Sequence, residues 1–246
     1  MSAALELTGV SKIFGGLRAV DEVSLAVQPG ERRALIGPNG AGKTTLFNLI
    51  AGALPVSGGS ISLFGEDVTG MAPHRRARRG LARTFQISNL FPTLTVLENC
   101  LLAVQALTPA RLAMHRPLAG YGALHARAHT TLESVGLADS AERTVRLLSH
   151  GEQRQLEIGL ALAGAPRLLL LDEPTAGLSP AESRQMAELL GKLDSAMTVL
   201  IIEHDMDIAL EIARNVTVLH YGRVIADGTR EEIRAHPLVR EIYLGA

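Results

Sequence analysis

The first third of the chain alternates short apolar runs of β type with turns. The runs ALELTGV, EVSLAV, RRALIG and SISLFG are separated by segments such as QPGE and PVSGG. Short runs of this kind, bounded by glycine, proline and other turn residues, are typical of β-strands. The pattern therefore predicts a mixed β-sheet in this part of the chain.

The pattern then changes twice. From TVLENCLLAV to RTVRLL the sequence is rich in alanine and leucine and has few strand signals, which predicts helices. Strand and helix alternate afterwards through RLLLLDE, a helix from Pro180, MTVLIIE, MDIALEIA, NVTVLH and RVIADG. This order predicts a parallel α/β core that an inserted helical subdomain interrupts. The closing TREEIRAHPLVREIYLG predicts one or two short helices, the first started by a capping box of Thr229 and Glu232.

The composition narrows the possible classes of protein. At 246 residues, of which 47% are hydrophobic, the chain can form one large domain or a domain with a subdomain. Its 24 basic and 25 acidic residues give a formal net charge of −1, which offers no global argument for a nucleic-acid partner. The single cysteine, Cys100, excludes an internal disulfide.

Two features lead us to expect a cytosolic protein. The opening MSAALELTGV lacks the basic region and the long apolar run of a signal peptide. The longest apolar runs are interrupted by Glu98, Pro166 or Arg167, so none approaches the roughly 18 residues that a membrane span needs. We therefore expect any role at a membrane to depend on partner proteins.

A glycine-rich segment between a predicted strand and a predicted helix carries the first candidate chemistry. It matches the phosphate-loop pattern GxxxxGK[ST] and consists of Gly37, Pro38, Asn39, Gly40, Ala41, Gly42, Lys43, Thr44 and Thr45. The glycines allow backbone N–H groups and the helix N-terminus to face a phosphate. Lys43 can reach the outer phosphates, and Thr44 can offer its hydroxyl to Mg²⁺. The flanking strand and helix make an ordinary glycine-rich turn a poor alternative.

Two carboxylates follow the most apolar of the predicted strands. Leu168 to Leu171 are typical of a buried parallel strand, and Asp172 and Glu173 follow at its carboxyl end, where ligands bind. We expect Asp172 to hold Mg²⁺ through water, and Glu173 to polarise the water that attacks the γ-phosphate. Alone, this pair could equally begin a solvated loop. Beside a phosphate loop, the catalytic interpretation is favoured.

A third polar motif, LSHGEQ, lies at a predicted helix start. Ser149 precedes a helix whose first N–H groups and positive dipole end can meet a phosphate, so Ser149, Gly151 and Glu152 are candidate nucleotide contacts. The alternative is that Ser149 and Glu152 form a capping box that only starts the helix. Both functions can hold at once.

With these three motifs the chain resembles the ATP-binding subunit of an ABC transporter over essentially its whole length. The resemblance implies an α/β fold, in which a P-loop NTPase core with a mixed or parallel sheet carries an N-terminal antiparallel β part and an inserted α-helical subdomain. Within one ABC domain, 1–246, it places the nucleotide-binding core at 1–86 and 149–228, the helical subdomain at 87–148 and a C-terminal helical tail at 229–246. It also implies ATP and Mg²⁺ as cofactors. LSHGEQ resembles the signature motif, which in this family completes the ATP site of the opposite subunit.

The resemblance assigns roles to further single residues. Gln86 in ARTFQISNLFP corresponds to a glutamine that contacts Mg²⁺ or the attacking water and reports the nucleotide state to the membrane partner. His204 corresponds to the switch histidine, which hydrogen-bonds the γ-phosphate. Phe14 corresponds to the aromatic residue that stacks on adenine, with Val20 flanking it. Core packing is the alternative for Phe14.

The motifs depart from the family pattern at a few positions. His150 stands where a glycine is usual, either as an added donor near the nucleotide or as a tolerated variant at the interface edge. Glu152 stands where glutamine often follows. Ser179 stands where an aspartate is common, and with Pro180 and Glu182 it has the sequence of a helix start.

The strongest basic cluster is HRRARRGLAR, from His74 to Arg83. In isolation it could suggest a nucleic-acid patch, but it lacks interleaved aromatic residues and precedes Gln86 at helical spacing. We therefore expect a solvated helix face and no nucleic-acid partner.

Within the family, the chain is most similar to the ATPases of importers for branched-chain or other hydrophobic amino acids. FGGLRAVDEVSLAV, LIIEHDMDIAL and YGRVIADGTREEIRAHPLVREIYLG carry this finer resemblance. It implies a cytoplasmic protein, peripheral on the inner face of the cell membrane, that joins membrane permease subunits and a second ATP-binding subunit in a homodimer or heterodimer. A periplasmic or extracellular solute-binding protein would be an indirect partner. Importers of urea, amides or polar amino acids remain alternatives, and a soluble ABC ATPase acting on ribosomes or nucleic acid is less favoured.

Overall fold

The computed structural model describes residues 2–84, 90–106, 108 and 122–244. Its strands, in chain order, are β1 (Leu5–Phe14), β2 (Leu17–Val27), β3 (Arg32–Ile36), β4 (Gly58–Leu63), β5 (Glu66–Asp67), β6 (Leu81–Arg83), β7 (Leu168–Asp172), β8 (Thr198–Ile202), β9 (Asn215–His220) and β10 (Arg223–Thr229). Its helices are α1 (Lys43–Ala51), α2 (Pro73–Ala77), α3 (Val96–Ala106), α4 (Gly122–Ser134), α5 (His150–Leu162), α6 (Pro180–Lys192), α7 (Met206–Ile212), α8 (Arg230–Ala235) and α9 (Pro237–Leu244). Short 3-10 turns lie at Ala138–Ser140 and Val145–Leu147.

The chain forms two compact units. The first comprises 1–83, 167–174 and 194–246, and the second comprises 84–166 and 175–193. The second unit thus groups 149–166 and 175–193, which the sequence analysis assigned to the nucleotide-binding core, with the helical segment. The two units are defined by how compactly their residues pack. The predicted functional boundaries 1–86, 87–148, 149–228 and 229–246 stay a prediction.

Two sheets build the first unit. One is antiparallel, in the order β2-β1-β4-β5. The other has the order β10-β9-β3-β8-β7-β6 and is parallel except for the β9–β10 pair. Every residue of β7 and β8 is buried, as expected for the central strands of a parallel sheet. The α/β class predicted from the alternation of strand and helix patterns is confirmed, and so is the antiparallel N-terminal part that the family resemblance implies.

Helix α1 joins the two sheets through one core. Its apolar side chains Leu46, Phe47, Leu49 and Ile50 are fully buried among residues of both sheets. Burying a side chain of this size stabilises the fold by about 1.5–3 kcal/mol. The helix that begins at the phosphate loop is therefore firmly anchored.

The second unit is built from α3, α4, α5 and α6, of which α3 and α4 lie in the segment that the sequence predicts to be helical. Helices α3, α4 and α5 pack against one another, with Cys100 and Ala128 in contact and both fully buried. Within the part of the chain that the structure describes, no helix combines the length and the apolar character that a membrane span requires.

The capping boxes predicted at three helix starts are confirmed. In each, the side-chain oxygen of Ser149, Ser179 or Thr229 accepts a hydrogen bond from the backbone N–H three residues later. The glutamate at that third position accepts the reciprocal bond from the N-cap backbone. These local signals set the starts of α5, α6 and α8.

The prediction that His74 to Arg83 form one solvated helix face is wrong. Helix α2 ends at Ala77, and Gly80, with φ of +92°, precedes strand β6. Arg76 is fully buried and donates to the carbonyl oxygens of residues 49, 50, 69 and 71, while Arg83 points to Asp172. Of this cluster, residues 74, 75, 77 and 78 are exposed.

Candidate functional site

The phosphate loop connects the end of β3 to the start of α1. Gly42 has φ of +102°, a conformation that L side chains rarely adopt, and a Cβ atom there would collide with the carbonyl oxygen of Ala19. A Cβ at Gly37 would likewise collide with the carbonyl oxygen of Leu219. Glycine is therefore required at both positions by close backbone packing, and the loop leads directly into the N-terminus of α1.

Lys43 is folded back over this loop. Its Nζ donates hydrogen bonds to the carbonyl oxygens of Gly37, at 2.5 Å, and Pro38, at 3.1 Å. Burial lowers the pKa of Lys43, while the negative charges of Glu173 and Asp172 oppose that shift. The ammonium group is thus held by the loop and stabilised by two carboxylates. In this position it could bind a phosphate oxygen of a ligand in the loop.

Three elements bring candidate residues to one edge of the parallel sheet. In the strand register, Ile202 at the end of β8 pairs with both Leu35 of β3 and Asp172 of β7. The phosphate loop follows β3, Glu173 follows Asp172, and His204 follows β8. The carboxyl ends of neighbouring parallel strands are where ligands of α/β proteins bind. The structure therefore brings the predicted loop, carboxylates and histidine to a common edge.

Asp172 and Thr44 carry oxygen atoms that could serve as metal ligands at this edge. The side chain of Asp172 is fully buried and forms an ion pair with Arg83 at 2.8 Å. Thr44 lies in the first turn of α1 and is half-buried. Mg²⁺ prefers oxygen ligands and is commonly held by one or two carboxylates together with phosphates and waters. These residues fit such a site, and the described residues form no cluster of three or more His, Cys, Asp or Glu that could hold a metal alone.

Glu173 departs from ordinary strand geometry. Its φ is +49°, in the left-handed region, although its N–H still donates to the carbonyl oxygen of Ile202 at 3.0 Å. A non-glycine residue in this region stores backbone strain, which proteins tend to place at functional sites. The carboxylate directly after Asp172 is therefore held in an unusual and specific conformation.

His204 and Phe14 both present surface to solvent. The His204 side chain is 58% exposed, and its Nδ1 lies 3.9 Å from Oε2 of the buried Glu203. Phe14, at the end of β1, is 45% exposed, and the Nζ of Lys12 lies 5.1 Å from its ring centroid. The core-packing alternative for Phe14 does not agree with this exposure.

Val20 and Gln86 are the remaining residues predicted to contact the nucleotide. Val20 is fully buried in the core. Its predicted place beside the base stays a prediction. Gln86 lies outside the described residues, and its predicted role stays a prediction.

The signature-like residues Ser149, Gly151 and Glu152 belong to the second unit, at the start of α5. The Glu152 N–H donates to Ser149 Oγ at 3.2 Å, and Ser149 N–H donates to Glu152 Oε2 at 2.7 Å. Partial burial raises the pKa of Glu152, but hydrogen bonds from Ser149 and Arg143 outweigh it and leave the pKa below its usual range. The capping alternative is thus confirmed, and a nucleotide contact by these residues stays a prediction.

A shallow cleft of about 80 Å³ lies beside this capping box. It is lined by Ser149, Gly151, Glu152, Gln155, Leu178, Glu182, Gln185 and Met186. The exposed His150 lies beside Gly177, which precedes Leu178 of the cleft. A Cβ atom built on Gly177 would be 3.2 Å from Nε2 of His150. Hydrogen bonds from Ser179 lower the pKa of Glu182, and the charge of His150 adds to this effect. His150 and Ser179, two of the three departures from the family pattern, therefore both lie at the start of α6.

Arg83 is the residue near the carboxylates that sequence reasoning did not find. Its charge was assigned to a helical basic cluster, whereas the chain leaves the helix before Gly80 and places Arg83 in β6 beside β7. Gly80, which interrupts the run of basic residues, is the signal that could have indicated that Arg83 lies outside the helix.

Comparison with known proteins adds to these features. The family described as ABC transporter matches residues 20–176, and the family described as branched-chain amino acid ATP-binding cassette transporter matches residues 223–246. The chain is 41% identical over 254 residues to the high-affinity branched-chain amino acid transport ATP-binding protein BraF of Pseudomonas aeruginosa, covering 98% of this chain and 97% of that protein. It is 42% identical over 255 residues, with the same coverage, to the protein LivG of Salmonella typhimurium, which carries the same description. A solved structure described as the ADP conformation of an ATP-binding cassette of an ABC transporter is similar with a TM-score of 0.86 and 31% identity, over 100% of both chains.

Proposed function

The chain belongs to the ABC transporter family, and from this premise we propose that it is the ATP-binding and ATP-hydrolysing subunit of an amino-acid importer. The observation that carries the proposal is the common sheet edge at which the phosphate loop, Asp172, Glu173 and His204 meet. The loop can bind a polyphosphate, and the groups beside it are those that hydrolysis of a phosphoanhydride needs.

ATP binding is the first step of the proposed function. The N-terminus of α1 and the loop N–H groups bind the phosphates, and Lys43 adds a positive charge. Mg²⁺ held by Thr44 and Asp172 would neutralise charge on the phosphates. Phe14, which is partly exposed at the end of β1, offers its ring to the adenine.

Hydrolysis is assigned to groups at the same edge. Glu173 orients the attacking water and accepts its proton, and His204 donates a hydrogen bond to the γ-phosphate. The strained backbone of Glu173 supports its role, because such conformations cost free energy and are found mainly at functional sites. Gln86 is included on sequence grounds alone.

Ser149, Gly151 and Glu152 are proposed to act on the nucleotide of a second ATP-binding subunit. They lie at the N-terminus of α5, whose positive dipole end favours anions. Since one chain would then carry two unlike halves of a site, two complete sites form only in a head-to-tail pair. The partner is either a second copy or a related ATP-binding chain.

The proposed place of action is the inner face of the cell membrane, where the protein is bound peripherally to permease subunits. A solute-binding protein delivers the cargo from outside. The relatives BraF and LivG are described as branched-chain amino acid transport proteins, which supports branched-chain or other hydrophobic amino acids as cargo over urea, amides or polar amino acids. The family match at residues 223–246 supports the same cargo.

Reconstitution tests the proposal. The protein is purified with its permease and solute-binding protein, and uptake of leucine, urea and glutamine into proteoliposomes is measured with and without enclosed ATP. ATP-dependent uptake of leucine that is lost in the Lys43→Ala variant supports the whole proposal. Uptake of urea or glutamine alone would contradict the cargo, and ATP hydrolysis that drives no uptake would contradict the coupling to transport.

A further inference from the structure

One guanidinium group connects the phosphate-loop helix to the proposed metal carboxylate. Nη1 of Arg83 donates to Oδ1 of Asn48 in α1 at 2.7 Å, and Nη2 donates to Oδ2 of Asp172 at 2.8 Å. The Arg83 side chain is 10% exposed and that of Asp172 is fully buried. The guanidinium also lies over the ring of Phe47, 5.9 Å from its centroid. This is a buried, oriented contact and not a surface ion pair.

The fold explains why Arg83 reaches both partners. Strand β6 runs parallel to β7, and Arg83 pairs in register with Leu170, two residues before Asp172. Helix α1 packs in the core that includes β7 residues, which brings Asn48 to the same place. The planar fork of an arginine can bond two acceptors at once, whereas a lysine ammonium group lacks this fixed geometry.

We propose that Arg83 is a positioning residue for the metal-binding carboxylate, which it orients and ties to the helix that carries the phosphate loop. The inference rests on the proposed function, because it assigns Asp172 to Mg²⁺. Arg83 itself contacts neither metal nor nucleotide in this role. It acts through Asp172, as the outer partners of metal ligands commonly do.

The opposite role, in which Arg83 competes with the metal for Asp172, has a distinct consequence. If competition dominated, loss of the arginine would tighten metal binding. Two effects argue against it. Arg83 is itself fixed by Asn48 and lies over the ring of Phe47, so it holds the carboxylate in one orientation, which is how the outer partners of metal ligands raise metal affinity. The metal also arrives with the negative charges of the triphosphate, which offset repulsion from the guanidinium.

The test measures metal binding apart from turnover. Wild type and the variants Arg83→Gln, Arg83→Lys and Asn48→Ala are titrated with AMP-PNP by calorimetry in EDTA. The AMP-PNP-bound proteins are then titrated with Mn²⁺, a spectroscopic stand-in for Mg²⁺, by electron paramagnetic resonance. Arg79→Gln is the matched control, because Arg79 pairs with Glu66 at the surface.

The expected result separates the metal from the nucleotide. Arg83→Gln should bind AMP-PNP in EDTA as wild type does, but bind Mn²⁺ about 10- to 100-fold more weakly. Arg83→Lys should recover part of that loss, and Asn48→Ala should weaken Mn²⁺ binding less, with no added effect in the Arg83→Gln background. Should Arg83→Gln fail to fold, Arg83→Lys carries the same test, since it keeps the cation but not the fork.

Three results would overturn the inference. Mn²⁺ binding to the folded arginine variants that is unchanged or tighter than in wild type removes the positioning role, while the proposed function stands. An equal loss of Mn²⁺ affinity in Arg79→Gln makes the effect unspecific and also removes it. Wild type that binds neither AMP-PNP nor Mn²⁺ contradicts the proposed function itself, and the inference falls with it.

Discussion

The ammonium group of Lys43 donates a hydrogen bond to the carbonyl oxygen of Gly37 at 2.5 Å, so the two ends of the phosphate loop are in direct contact. The same ammonium group donates a second hydrogen bond, to the carbonyl oxygen of Pro38 at 3.1 Å. Since Asp172 and Glu173 stabilise its charge, the lysine is a positioned cation and not a mobile surface residue. Its place over the loop links the local fold directly to phosphate binding.

Replacement of Lys43 by alanine should therefore weaken ATP binding strongly. Hydrogen bonds to charged groups contribute about 1.5–3 kcal/mol each, so the loss of one such bond lowers affinity by roughly 10- to 100-fold. Calorimetric titration with Mg-ATP measures this loss. Lys192→Ala, at the exposed end of α6, is the control and should bind as wild type does. Unchanged affinity in Lys43→Ala would mean that the loop is not the site.

Arg76 should stabilise the first unit at the opposite end of α1. Its guanidinium donates to the carbonyl oxygens of Leu49 and Ile50 in the last turn of the helix, and to those of Thr69 and Met71. Each buried carbonyl left without a donor costs about 1–3 kcal/mol, so Arg76→Ala should lower the free energy of unfolding by several kcal/mol.

Urea denaturation of Arg76→Ala and Arg75→Ala provides a paired comparison on one short helix. Arg75 is exposed, so its replacement should change the free energy of unfolding by less than about 0.5 kcal/mol. Equal urea midpoints of unfolding for the two variants would show that the hydrogen bonds of Arg76 do not stabilise the end of α1.

The sheet edge could be predicted from sequence because its residues lie in compact motifs. The phosphate loop, the pair Asp172–Glu173 and His204 each follow a short apolar run that forms a strand, and the parallel order of strands brings the ends together. The helix starts at Ser149 and Ser179 were predictable for a similar reason, since a capping box is complete within four residues.

The roles of the arginines and of Val20 could not be predicted in the same way. A run of basic residues gives the charge but not the direction of each side chain. The partners of Arg76 and Arg83 lie as far as 27 and 89 residues away in sequence, so only the tertiary fold identifies them. The exposed run 13–18 ends two residues before Val20, yet the pairing of β2 with β1 turns Val20 into the core.

The split-site proposal predicts that Ser149→Arg separates ATP binding from hydrolysis. If Ser149 acts on the partner's nucleotide, the variant monomer should bind ATP nearly as wild type does, while a bulky cation at the interface should block hydrolysis. Loss of the N-cap hydrogen bond should also cost about 1 kcal/mol of stability. Calorimetry and phosphate release measure the two functions separately.

Thr229→Arg is the matched control for the capping contribution. Thr229 forms a capping box of the same kind at the start of α8, so its replacement removes an equivalent bond. This variant should lose similar stability but retain hydrolysis in a competent pair. If both variants lose hydrolysis equally, capping and not the interface explains the effect; if Ser149→Arg loses monomer binding, the split-site idea is wrong.

Replacement of Glu173 by glutamine should separate binding from chemistry. The amide keeps the size of the side chain but cannot accept a proton from the attacking water, and general-base catalysis contributes about 10²–10⁴-fold to the rate. ATP should still bind, because Lys43, Thr44 and Asp172 are unchanged. Glu211→Gln, on the exposed face of α7, is the control and should hydrolyse ATP normally.

The same variant should also accumulate as an ATP-bound pair. If the pair opens only after hydrolysis, Glu173→Gln with Mg-ATP should elute from gel filtration at twice the monomer mass, and with Mg-ADP at the monomer mass. The measurement is made with the chain alone and mixed with a second ATP-binding subunit, because a heterodimer would form the doubled species only in the mixture. Near-normal turnover in the competent pair would show that Glu173 is not the base. His204, which follows β8 at the same sheet edge, would then be the residue to replace next, since an imidazole can also act as a general base.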